Sequence, residues 1–135
     1  MNGPSPHLSW DELACEDGTP YPDEWRTTRG KVLGRTFERI RTLLGKKSGK
    51  LRPITVASGY RTPEHNASVN GAKDSMHLHG LAMDLHTPAG ATHAQLVDSA
   101  SEVLGDRGGL FIYPWGVHVD RRDYLKRPKG RGDYR

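Results

Sequence analysis

The sequence predicts a single α+β domain. Two stretches repeat their apolar residues at helical period, residues 23–45 and 92–104, and short runs rich in β-branched or alternating residues at 53–57, 81–85, 109–113 and 117–120 supply the strands. With 135 residues, 34% of them hydrophobic, the chain is long enough for one core and too short for two domains of ordinary size.

Residues 1–8, with Gly3, Pro4 and Pro6, form a loose lead-in, and Ser9-Trp10-Asp11-Glu12 has the spacing of a capping box that starts a short helix through Ala14 or Cys15. Gly18, Pro20 and Pro22 turn the chain. From Asp23 the apolar positions Trp25, Val32, Leu33, Phe37, Ile40, Leu43 and Leu44 recur every three to four residues, giving the longest helix, which ends near Gly45. Gly30 and Gly34 weaken its first half. After the polar loop 46–50, residues 53–57 form a strand that exits through Ser58-Gly59-Tyr60-Arg61-Thr62, and Thr62-Pro63 caps a short helix near 63–69. Thr92 caps a helix whose core face is Leu96, Val97, Ala100, Val103 and Leu104, and Gly105 ends it. Residues 109–113 form a strand, Pro114-Trp115-Gly116 a tight turn, and Val117-His118-Val119-Asp120 a strand whose alternation sends the valines to the core and His118 and Asp120 to a cleft.

The chemistry gathers around Ser75-Met76-His77-Leu78-His79-Gly80-Leu81-Ala82-Met83-Asp84. His77 and Asp84 are seven positions apart. A straight strand would put them on opposite faces roughly 23 Å apart, and a helix would separate them by roughly 10 Å of rise. They meet only if the chain bends, and Gly80 tolerates the bend. A loop carrying His77, a turn at Gly80 and a strand carrying Asp84 make half of a metal site; His118 is a third group of ligand type. Two histidines and one carboxylate leave a fourth tetrahedral position open, the pattern of catalytic zinc, which polarises carbonyls and activates water. His79, two residues from His77, is its rival as ligand; His65, His86 and His93 are read as non-ligands.

The single cysteine, Cys15, makes no intrachain disulfide and is read as a half-buried structural residue. No run of about 18 apolar residues reads as a membrane span, and no export signal is recognisable, so the expected location is cytoplasmic until release, or virion-associated if the chain is phage-encoded. The net charge of +4 is concentrated at the C-terminus, where Arg121, Arg122, Lys126, Arg127, Lys129, Arg131 and Arg135 face only Asp123 and Asp133. The domain is therefore drawn as residues 1–124, with 125–135 a flexible basic tail that could meet anionic cell-wall polymers or serve only as a solvated end. The tail has no interleaved aromatics or nucleic-acid motif, which weighs against nucleic acid as partner. Arg131-Gly132-Asp133 matches an integrin tripeptide by chance. A monomer is expected.

In order, Ser58-Gly59-Tyr60-Arg61, then Ser75-x-His77-x-x-Gly80-x-Ala82-x-Asp84, then Val117-His118-Val119-Asp120 resembles the zinc D-Ala-D-Ala carboxypeptidase and endolysin peptidase family, which includes VanX-like dipeptidases and shares its fold with the hedgehog signalling domain. The segment His7-Leu8-Ser9-Trp10-Asp11-Glu12, followed by Cys15 and Gly18, resembles the start of short phage and bacterial members. The resemblance implies a small, mostly antiparallel sheet with helices against one face and a zinc site in the cleft on the other. It implies one zinc ion per chain held by His77, Asp84 and His118, with Arg61 binding or polarising the scissile carbonyl and Ser75 lining the site. Each has a plainer alternative: Arg61 as a surface ion-pair partner, the lesser of its two readings, and Ser75 as a mere loop cap, on even terms with its site role. Ala82 shares a strand face with Asp84 and leaves room beneath the metal. Many relatives place a carboxylate three residues before the last ligand, or a histidine two before it. Here those positions hold Trp115 and Gly116, neither of which takes a proton at neutral pH. Asp120 is the nearest carboxylate on the correct face, and two roles are open to it: moving a proton or holding a ligand histidine. The implied function is a zinc metallopeptidase that hydrolyses a bond of the peptidoglycan stem peptide, as a D,D-carboxypeptidase or endopeptidase of the endolysin or virion kind. The alternative is a non-catalytic zinc-containing module that binds cell wall or builds a virion.

Overall fold

The computed structural model of the chain describes residues 2–135. Four α-helices, α1 (Trp10–Leu13), α2 (Arg29–Ser48), α3 (Pro63–Ser68) and α4 (His93–Leu104), accompany five strands, β1 (Val56–Ser58), β2 (Ala82–His86), β3 (Gly109–Tyr113), β4 (Gly116–Asp120) and β5 (Gly130–Asp133). The strands form one sheet in the order β1-β2-β4-β3-β5, antiparallel except for the β3–β5 pair. The α+β class and the mostly antiparallel sheet are as the sequence predicts.

The caps form where the sequence puts them. Ser9 and Glu12 complete a capping box at α1, Thr62 and Pro63 open α3, and Thr92 with Gln95 caps α4. The long helix differs at both ends. Residues Asp23–Trp25 make a separate 3-10 turn, and α2 begins only at Arg29. Gly30 and Gly34 mark close approach, since a Cβ at Gly30 would lie 2.7 Å from the Trp10 ring and one at Gly34 would lie 2.9 Å from the Pro4 carbonyl oxygen. Gly45 lies inside the helix against Leu51, and the true stop is Gly49, in the left-handed conformation at φ 96°. The first strand is displaced to Val56–Ser58, with a shift in its register against β2 before Ser58.

The core lies between the helices and one face of the sheet. Leu33, Phe37, Ile40 and Leu44 of α2 and Leu96, Ala100 and Leu104 of α4 pack on Met83, Leu85, Leu110, Val117 and Val119. Each of the larger side chains, buried in full, stabilises the fold by roughly 1.5–3 kcal/mol. Strand alternation leaves Asp84, Phe111, Tyr113 and His118 on the opposite face, directly above this base. Cys15, expected half-buried, is fully buried.

The flexible tail drawn from composition is corrected. Residues 130–133 add to the free edge of β3 as β5, and Tyr134 stacks on Tyr113 and Phe111. The glycines explain why: a Cβ at Gly130 would run into the Arg122 guanidinium and the edge of the Phe111 ring, and one at Gly132 into the Phe111 ring. Most of the tail's basic groups are engaged within the fold. Arg121 bonds Asp123 and Thr36, Arg122 bonds Asp120, Arg127 pairs with Asp74, Arg131 donates to the carbonyls of Gly105, Arg107 and Gly108, and Arg135 pairs with Asp133.

Candidate metal centre

The bend required between His77 and Asp84 exists. Ser75 caps a 3-10 turn over Met76–His79, its hydroxyl accepting from the His77 N–H at 3.2 Å, and Gly80 reverses the chain at φ 64°, ψ 26°. The turn is fixed from behind. Tyr21, fully buried, donates its hydroxyl to the Gly80 carbonyl at 2.7 Å, and Arg29 of α2 donates to the His79 carbonyl at 2.7 Å. Beyond Gly80 the chain enters β2, where Asp84 lies directly across from His118 of β4.

One ligand atom from each of His77, Asp84 and His118 lies within 4.8 Å of the others. His77 Nε2 is 3.2 Å, and His118 Nδ1 2.9 Å, from Asp84 Oδ1. The far nitrogens decide the protonation. His77 Nδ1 is 2.6 Å from the Gly59 carbonyl oxygen, which only accepts, so this nitrogen carries a hydrogen. His118 Nε2 is 2.8 Å from the Asp120 carboxylate and is likewise the donor. In the neutral rings, the remaining lone pairs on His77 Nε2 and His118 Nδ1 then point at the same carboxylate oxygen. Such an arrangement is repulsive unless protons or a cation lie between them. Two neutral imidazoles and a carboxylate are a zinc donor set, and the outer hydrogen bonds hold both rings in the metal-binding tautomer.

In the absence of a cation the two rings differ in their preference for a proton. Burial lowers the pKa of His77, keeping the ring neutral despite Asp84. At His118 burial opposes charging, but Asp120 and Asp84 outweigh it and raise the pKa. Burial works to raise the Asp84 pKa, yet the adjacent His118 and His77 rings hold the carboxyl well below the usual range.

Arg61 reaches the site from the loop after β1. Its Nη2 lies 3.5 Å from Asp84 Oδ2, while Nε and Nη1 donate to Ser58 and Asn66, so the guanidinium is steered by neutral partners and has no short carboxylate contact. Ser75 lines the same cleft, of about 590 Å³, as Arg61, His77, Asp84, Tyr113 and His118, and it also caps the turn. His79 turns outward to Asp74 at 2.8 Å and lies outside the cluster, as do His65, His86 and His93.

Asp120 is not open to the cleft. Its side chain is 0% exposed, and both oxygens are occupied: Oδ1 accepts from Arg122 N and Nε at 3.1 and 2.9 Å, and Oδ2 from Arg122 Nη2 and His118 Nε2 at 2.8 Å each. Gly109, paired with Asp120 across the strands, leaves the space in which the carboxylate lies. Sequence reading also passed over Phe111, whose ring meets the His118 ring edge-on at 5.6 Å, and Tyr113. Their alternation was visible; that it matches the parity of His118 became visible only with the β3–β4 register.

Among the described residues no helix is long and apolar enough to cross a membrane. No curated protein matches the chain. The family model for Peptidase M15 matches residues 6–120, a span that includes Arg61, both ends of the bent segment and His118 at the centre of the cleft, and the chain belongs to this family of zinc metallopeptidases.

Proposed function

We propose that the chain hydrolyses a peptide bond in the peptidoglycan stem peptide, as a D,D-carboxypeptidase or endopeptidase. The observation that carries this reading is the convergence of His77 Nε2, Asp84 Oδ1 and His118 Nδ1 in an open cleft, with the outer nitrogens of both rings tied down. Zinc held there supplies Lewis acidity to the scissile carbonyl and activates water. Arg61, permanently charged and steered toward the cleft, stabilises the charge that develops on the carbonyl oxygen. Ser75 holds the turn that presents His77. Asp120, closed in by Arg122, acts by orienting His118 rather than by carrying protons.

The expected result with purified peptidoglycan is release of new amino groups by the zinc-loaded protein at about one zinc per chain, both lost in His77→Ala and His118→Ala. Zinc retention with no release from any cell-wall substrate would establish the second reading, a non-catalytic zinc module. That reading is favoured by one observation: among the described residues, the only carboxylate lining the cleft apart from Asp84 is Asp74, bound to His79 and Arg127.

A further inference from the structure

Trp115, in the turn between β3 and β4, has a definite partner for its ring. It stacks on Tyr113 with centroids 5.2 Å apart and planes within 7°. Tyr134, arriving from β5 on the other side of β3, stacks on the same ring at 5.4 Å and 20°. Tyr113 is thus flanked from the β4 turn and from β5, and what it has left to offer is its hydroxyl edge. That hydroxyl has no hydrogen-bond partner among the described residues, although Tyr113 lines the cleft with Arg61, His77, Asp84 and His118. The placement follows from register: Phe111 pairs with His118, and Tyr113 is the next residue on the same face, opposite Gly116, which puts no side chain beside it. Burial, reinforced by Asp84, raises the pKa of the phenol, with Arg61 opposing, so it stays protonated at neutral pH. The hydroxyl is open to solvent in the cleft, which leaves it free to donate to a bound group.

We propose that Tyr113 is a further catalytic residue, donating its phenolic hydrogen bond to the oxygen that gains negative charge on the scissile carbonyl, and that Trp115 and Tyr134 are positioning residues that fix the ring. The assignment rests on the peptidase reading above and accounts for the aromatic residue at position 115. The Tyr113 donor and the Arg61 guanidinium would approach the same oxygen, as paired donors do in oxyanion sites.

Tyr113→Phe keeps the stack and removes only the donor. Its expected effect is a fall of about 10²-fold in kcat, with KM, zinc content and Tm unchanged. Trp115→Ala lowers kcat by freeing the ring, and Trp115→Phe restores it. Wild-type kcat in Tyr113→Phe overturns the assignment; so does a loss of kcat matched by loss of zinc or Tm, which marks a structural role. A second measurement needs no turnover: calorimetric binding of a phosphinate analogue of D-Ala-D-Ala, a tetrahedral anion, to the zinc-loaded proteins. Binding should weaken by about 10- to 100-fold in Tyr113→Phe, the worth of one hydrogen bond to a charged oxygen, and equal affinity overturns the proposal. A wild-type protein that hydrolyses no stem peptide defeats the peptidase reading instead, and the phosphinate comparison then decides Tyr113 on its own.

Discussion

Asp120→Asn separates the two roles open to that carboxylate. In the native protein both oxygens face donors only: His118 Nε2, and the backbone, Nε and Nη2 of Arg122. An asparagine offers one acceptor oxygen and one NH2 group, and in either orientation the NH2 meets a donor. If it faces His118, relief comes by moving the imidazole hydrogen from Nε2 to Nδ1, the nitrogen that must be bare to bind metal. If it faces Arg122, buried donors of the guanidinium lose their acceptor, at about 1–3 kcal/mol. Zinc affinity should therefore fall about 10- to 100-fold, equivalent to about 1.4–2.7 kcal/mol. The pH matters to the measurement. The metal-free His118 pKa is raised above its ordinary value, by Asp120 and Asp84 against the opposing effect of burial. A proton on Nδ1 excludes the metal, so wild-type affinity declines as pH falls through that raised value. The same sign makes protonated His118 a source of stability in the metal-free protein below about pH 6.5, lost as pH rises through the folded pKa. Removing the Asp120 charge lowers the His118 pKa and moves its proton competition to lower pH. The deficit is therefore read on the mildly alkaline plateau, by competition with a chromogenic chelator. Equal zinc affinity in the two proteins, together with a collapse of kcat, would refute the orienting role and make Asp120 the proton carrier.

Gly80→Ala should destabilise the protein by about 1–2 kcal/mol from the left-handed conformation alone. The cost rises because the new Cβ would lie 2.5 Å from the Trp25 ring, and thermal melts together with chelator competition should show stability and zinc affinity falling together, since the displaced turn carries His77. Truncation after Tyr124 removes β5 and Tyr134, so it should lower Tm, expose the β3 edge to association and, by loosening Phe111 and Tyr113, reduce turnover; an unchanged Tm and activity would return residues 125–135 to the status of a solvated end.

What the sequence made legible was local or periodic. The bend at Gly80 followed from the impossibility of joining His77 to Asp84 any other way, and the side of the sheet occupied by His118 followed from two-residue alternation. Parity assigns a face but not a depth, and Asp120 illustrates the difference: it shares the face of His118, yet Gly109 across the strands and Arg122 after it enclose the carboxylate completely. The last strand was illegible for a related reason. Gly130-Arg131-Gly132-Asp133 has the composition of a solvated tail, and its strand conformation comes from the open edge of β3 and the ring of Phe111, both contributed by residues some twenty positions earlier. Gly30 and Gly34 were misread in the same way, as weak points of a helix rather than as places where α2 touches the N-terminal segment.

The two histidines present different nitrogens, and the fold explains which. Asp84 and His118 are directly opposed on neighbouring antiparallel strands, where Cβ atoms stand about 4.5–5.5 Å apart. At that separation the near nitrogen, Nδ1, meets the carboxylate, and the far nitrogen is directed along β4 to Asp120, two residues on in the same strand. His77 comes instead from a turn, with its Nδ1 anchored to the Gly59 carbonyl, so it reaches Asp84 with the tip of its ring, Nε2. The Asp120 carboxylate and the Gly59 carbonyl thus perform the same task from opposite sides, each fixing the hydrogen away from the metal. One is charged and locked by Arg122, the other neutral and part of the β1 exit loop, so loss of Asp120 perturbs the basicity of its ligand, while any shift of residues 58–61 perturbs the position of His77 and of Arg61 together.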